Sequence, residues 1–271
     1  MVQAKTGCSQ FERLRPSACR PGRGGRRGKT TKVSGLATRH VVPSAGADIE
    51  VVVTPARERA ARAVLLVHGY GGSAAALGPL AEQFSVAGYD AAAMSMRGFG
   101  GSSGVDDLGL RQPRDVAGVA AWLRDRTTVR RLYALGISQG GQVVLLATAA
   151  GAPLDAVAAW APVTDVARWR ATTTFAGIPE YVDAMCADGR YAERSPLYVA
   201  DRIGVPVLLV HGDADTRVPT EQSLALHESL VATGGCSTLE LLAGVAHRDR
   251  ARHPNSFDLS VAFFDRLETR W

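Results

Sequence analysis

Nowhere does this sequence run apolar for long enough to cross a bilayer, and its first residues lack the apolar core of a secretory signal. Both absences argue for a soluble chain and make a cytoplasmic address the expectation. Four cysteines (Cys8, Cys19, Cys186 and Cys236) show neither metal-ligand spacing nor a disulfide framework, which suits a reducing compartment. No internal repeat is visible. The stretch GRGGRRGKTT ends like a phosphate loop, but Arg23 stands where that motif needs glycine and no strand precedes it.

Charge is plentiful but unevenly placed. Residues 1–32 hold nine of the 31 Lys and Arg against one acid, Glu12, so the rest of the chain has 22 bases, 25 acids and a net charge of −3. The basic pI describes a tail, and no nucleic-acid surface is expected on the body. The tail is rich in Gly, Pro, Ser and Arg without an apolar period, so burial cannot offset its ordering entropy. Residues 1–36 are therefore expected to be a disordered basic segment, either an upstream start artefact or an arginine arm for an anionic surface. With 271 residues and 46% hydrophobic content, the remainder suits one domain, 37–271.

From residue 37 short apolar runs alternate with longer segments of helical period. The runs are IEVVVTP, RAVLLVHG, YDAAAMSM, RLYALG, DAVAAWAP, VPVLLVHG and STLELLAG. In RDVAGVAAWLRDR the residues Val116, Val119, Ala120 and Leu123 share one face, with Arg114, Arg124, Asp125 and Arg126 largely off it. Near-continuous apolar strands imply burial on both faces, hence an α/β fold with a mostly parallel sheet between helix layers. In such a sheet the chemistry belongs at the carboxyl ends of the strands.

One strand end is abrupt. Between RLYALG and GGQVVLLATAA only Ile137, Ser138 and Gln139 are left for the turn, and Gly136 and Gly140 clear the space around Ser138. This G-x-S-x-G pattern is that of a nucleophile elbow, with a serine hydroxyl on a strained bend at a helix N-terminus. A serine needs a base, and the base needs an orienting third group. Among six histidines, His227 lies within a helical period, His40 precedes the core, and His68 and His211 end strands where histidine commonly braces the backbone. His247, in AGVAHRDR after the last apolar strand, is favoured over His253. For the acid, Asp215 in HGDADTRVP is favoured over Asp213, which can serve its own turn, and over the remoter Asp165. The order Ser138, Asp215, His247 is the nucleophile, acid, base order of one hydrolase architecture. HGYGGS places the Tyr70 amide after a strand end, so the backbone N–H groups of Tyr70 and Gln139 are the candidate oxyanion hole.

These motifs resemble the α/β-hydrolase superfamily over residues 37–271. RGFGGSSG, APVTD, RSPLYVADRIGVPVLLVHGDADTRVP and AGVAH resemble prolyl oligopeptidase-like catalytic domains and related small esterases. The resemblance departs at Gln139, where the peptidases usually carry tyrosine, and their propeller domain is not found in this sequence. SQGG with HGYGG is more similar to feruloyl-type and other small carboxylesterases, so the resemblance implies an esterase of small-molecule esters without a cofactor or metal. A serine peptidase or amidase and a noncatalytic binding protein remain open. Residues 163–195 form an insertion of lid size. Its Trp169, Phe175 and Tyr181 are expected either to line the substrate pocket or to pack a small core of the lid's own. Ser102 and Ser103 are expected to be structural, and no membrane partner is expected.

Overall fold

A computed structural model describes residues 5–7, 31–34, 36–58, 61–126, 129–249 and 254–268. The seven apolar runs become strands β4 (Ala47–Thr54), β5 (Arg62–Val67), β6 (Asp90–Met94), β7 (Arg131–Ile137), β8 (Ala156–Trp160), β9 (Val207–Gly212) and β10 (Ser237–Leu242). Three further strands complete the sheet: β1 (Lys5–Gly7), β2 (Thr31–Ser34) and β3 (Ala37–Ser44). The order across it is β1-β10-β9-β8-β7-β5-β6-β4-β3-β2. From β10 to β6 all neighbours are parallel, while β4, β3 and β2 form an antiparallel edge and β1 pairs antiparallel with β10.

Burial on both faces is why the central strands read as unbroken apolar runs. In β5, Ala63, Leu65 and Val67 enter one core cluster and Val64 and Leu66 the other. The first cluster is covered by α2 (Gln112–Asp125), α3 (Gln139–Ala149) and α6 (Glu221–Ala232), and the second by α1 (Gly78–Val86) and α7 (Pro254–Glu268). The predicted face of α2 is the one buried: Val116, Val119 and Ala120 are fully covered and Leu123 nearly so. That helix also buries Asp115, whose carboxylate pairs bidentately with Arg97 at 2.6 Å for both bonds. Local periodicity could not foretell this pair, because Arg97 comes from the loop after β6.

Residues 1–36 do not stay wholly outside the fold. Lys5–Gly7 registers with Ser237–Leu239, and Thr31–Ser34 joins β3. An open sheet edge offers unpaired backbone groups to a strand whatever its side chains, so composition did not reveal the pairing. Apart from Leu36, the rest of that segment lies outside the described residues. Cys236 is disulfide-bonded, although the cysteine spacing showed no disulfide framework; Cys186 is a free, buried thiol. Among the described residues no helix is long and apolar enough to cross a membrane.

The parallel strands all deliver their carboxyl ends to one edge. The chain reverses its direction of travel across the sheet at β5, which has β6 on one side and β7 on the other. Ligand crevices form at such switch points, and Ser138 directly follows β7 there.

Candidate active site

Ser138 occupies φ 56°, ψ −118° as the residue leading into α3, a conformation that L-residues adopt only when the surrounding structure enforces it. The enforcement comes from close backbone approach. A Cβ on Gly136 would overlap the Gly140 carbonyl, and one on Gly140 would overlap the carbonyl oxygens of Val67 and His68. Both glycines of the motif are thus demanded by packing. Gly140→Ala is expected to lower Tm by about 2–12 °C, since overpacking typically costs ~1–3 kcal/mol at ~2–4 °C per kcal/mol. Thermal unfolding with an unchanged midpoint would show that the elbow can relax.

The acid and base meet across the ends of β9 and β10. His247 Nδ1 lies 2.6 Å from Asp215 Oδ2, and because a carboxylate only accepts, that nitrogen carries the proton. The other oxygen, Oδ1, accepts from the backbone N–H groups of Arg217 and Val218, each at 3.0 Å. Burial alone would raise the Asp215 carboxyl, but hydrogen bonds from His211 and His247, the charge of His247 and the Val218 N–H outweigh it and hold it far below the usual range. Asp215 is therefore held as a carboxylate, the form that accepts from His247.

The other candidates take structural places. Asp213 Oδ1 accepts from Gly244 N at 2.6 Å, so it ties the two site loops together and does not cap its own turn. Asp165 caps α4 (Val166–Thr172) by accepting from Arg168 N. His68 donates from Nδ1 to Gly69 O and accepts from Met96 N, and burial pushes its pKa down, so it braces its strand end as a neutral ring. His227 bonds Ser237, and His40 bonds Thr38 and packs on Trp122. His253 lies outside the described residues. Ser102 and Ser103 accept from Glu50 N and Asp48 N and hold the glycine loop to β4.

On the oxyanion side, a Cβ added at Gly69 would lie 3.3 Å from Ser138 Cβ, so the loop carrying Tyr70 abuts the elbow. Among the described residues no backbone acceptor takes the N–H of Tyr70 or of Gln139. Gln139 stands in the first turn of α3, where such a donor is ordinarily left for a ligand or water.

The lid separates its aromatics. Trp169 is buried in the lid's own cluster with Val166, Ile178 and Val182, and its indole N–H donates to Arg217 O. Packing has therefore claimed Trp169, and Phe175 sits under the Arg217 guanidinium, 4.2 Å from its ring centre. Tyr181, on α5 (Ile178–Met185), instead points toward the elbow. Its hydroxyl donates to Asp106 Oδ2 at 2.5 Å and accepts from Gln139 Nε2 at 3.1 Å, while its ring lies 4.6 Å from that of Tyr70. Burial and the Asp106 charge raise the phenol's pKa, so it remains a donor. These bonds fix the Gln139 amide and leave its Oε1 buried without a partner. Tyr181→Phe is expected to lower kcat/KM about tenfold on an ester substrate by unpairing Asp106 and Gln139, as buried unpaired polar groups cost ~1–3 kcal/mol. Steady-state kinetics equal to the parent protein's would remove Tyr181 from the site.

Residues 81–268 match the prolyl oligopeptidase family. The chain belongs to that family. Solved structures of similar fold include an esterase of Pyrococcus furiosus, Pf2001, with TM-score 0.69 and 19% identity, covering 88% of this chain and 93% of that one. Est1E of Butyrivibrio proteoclasticus, bound to ferulic acid, matches with TM-score 0.66 and 19% identity over 84% of this chain and 97% of that one. An acylaminoacyl peptidase of Pyrococcus horikoshii matches with TM-score 0.71 and 19% identity over 91% of this chain but 42% of its own. This prolyl oligopeptidase family member thus has the α/β-hydrolase fold and belongs among serine esterases and peptidases. Among its described residues no cluster of three His, Cys, Asp or Glu side chains could hold a metal ion. The Asp106–Tyr181–Gln139 cluster escaped sequence reasoning, since its members come from three separate loops and helices with no shared motif.

Proposed function

We propose that this family member is a carboxylesterase of small-molecule esters working through an acyl-enzyme on Ser138. The reading is carried by one observation, the Asp215–His247 pair at 2.6 Å on the same sheet edge as the strained Ser138. His247 takes the proton of Ser138 as Oγ attacks the ester carbonyl, then returns it to the leaving alcohol. Asp215 fixes the imidazole tautomer and stabilises the imidazolium. The Tyr70 and Gln139 amides hold the oxyanion, a contribution of ~10²–10³ in rate per donor. Water repeats the cycle on the acyl-enzyme.

Three features support an ester of modest size. Gln139 stands where the family's peptidases usually carry tyrosine; Tyr181 closes over the elbow; and the rings of Tyr70, Phe99 and Tyr181 form an aromatic wall beside it. That wall suits an aryl or unsaturated acyl group. The family match itself favours a second reading, an amidase or peptidase on short acyl-peptides. Turnover of aryl esters of graded acyl length, set against an aminoacyl anilide, separates the two. Ester rates well above anilide rates support the esterase, comparable rates the peptidase. Failure of a fluorophosphonate to add once to the folded protein, read by intact mass, leaves a noncatalytic binding protein.

A further inference from the structure

The geometry points to His211 as a positioning residue for Asp215, and this assignment rests on the reading of Asp215 as the acid of a Ser138–Asp215–His247 triad. His211 lies near the end of β9 and is fully buried. Its Nε2 faces two oxygens that only accept: the Val218 carbonyl at 2.8 Å and, more weakly, Asp215 Oδ2 at 3.5 Å. That nitrogen therefore carries the proton. Its Nδ1 then accepts from the Ser223 hydroxyl at 2.7 Å, so a residue of α6 anchors the far side of a ring whose tautomer the two acceptors at Nε2 set.

The consequence is a carboxylate aimed from three sides before His247 reaches it. Arg217 and Val218 N–H groups hold Oδ1. His211 holds the loop from below through the Val218 carbonyl and presents its N–H to Oδ2, the oxygen that His247 uses. A carboxylate free to rotate would offer His247 a poorer acceptor, and catalytic groups misplaced by an ångström can cost ~10²-fold. His211 touches neither substrate nor Ser138 in this scheme; it acts through Asp215.

Three variants test it: His211→Phe removes both ring nitrogens, His211→Gln restores a donor and an acceptor, and Ser223→Ala removes only the hydroxyl that anchors Nδ1. On an aryl ester His211→Phe is expected to lose about 10–100-fold in kcat with KM changed less than about threefold, the pattern of lost transition-state positioning. The far-downfield proton of the His247–Asp215 hydrogen bond should broaden or vanish in its NMR spectrum. His211→Gln should recover most of both, and Ser223→Ala should fall between. A folded His211→Phe with the parent's kcat and downfield proton would overturn the assignment, as would a His211→Gln no better than His211→Phe. Should His211→Phe fail to fold, a Ser223→Ala protein with undiminished kcat overturns it. Fluorophosphonate labelling of Ser138 in the parent protein keeps the two readings apart. No adduct there sinks the triad itself; an adduct with unaltered His211 variants sinks only the positioning role.

Discussion

Replacing Ser138 with alanine is expected to lower kcat on an aryl ester by about 10⁶, the scale on which loss of a serine nucleophile removes a triad acting as one unit. The fold should not suffer. Ser138 is nearly buried but its side chain caps nothing in α3, and its backbone bonds to Trp160 O and from Gln142 N survive the change. Alanine must still adopt φ 56°, a strain the parent serine already bears, so Tm should move little. A residual rate of ~10³–10⁴ over water should persist from the oxyanion donors and substrate binding. The adduct seen by intact mass with a fluorophosphonate should disappear in the same variant. A well-folded alanine variant retaining a tenth of the activity would place the nucleophile elsewhere.

The second large effect concerns stability. Asp115→Ala should cost about 3–5 kcal/mol, because it strands the Arg97 guanidinium in an interior where its exposure is 2%. At ~2–4 °C per kcal/mol for a domain of this size, Tm should fall by about 6–20 °C. The pair itself need not stabilise the fold, since two desolvation penalties oppose the mutual attraction. The double variant R97M/D115L should therefore return close to the parent Tm, whereas either single change should not. Differential scanning calorimetry on the four proteins completes the cycle. A single variant that unfolds like the parent would mean that water reaches Arg97. The effect should also reach the site, because Arg97 opens the loop whose Phe99 ring packs 5.4 Å from His68 and 6.2 Å from Tyr70.

Much of this was legible in order of residues alone. Strands β5 to β9 announce themselves because a strand buried on two faces reads as a near-unbroken apolar run, and α2 because its apolar residues recur at helical spacing. Ser138 was legible for a different reason: a sharp strand-to-helix turn leaves no room for Cβ atoms, and the chain records that demand as Gly136 and Gly140. Strand-end position then selected Asp215 and His247. Against this, β3 covers only one face and carries His40 and Pro43, so its pattern is faint, and β1 and β2 are recruited through backbone groups that have no sequence signature.

What only the tertiary structure decided lies in contacts between strand ends. Composition could not say that Trp169 packs the lid while Tyr181 reaches Gln139, since both are aromatics on short helices of one insertion. Nor could it say that His211, which ends a strand much as His68 does, faces the acid of the proposed triad while His68 bonds Met96. The physical cause is the same in each case. Periodicity and steric gaps are properties of neighbouring residues, so the sequence carries them directly. Which loop meets which depends on strand order, and that order is set by packing of the whole sheet.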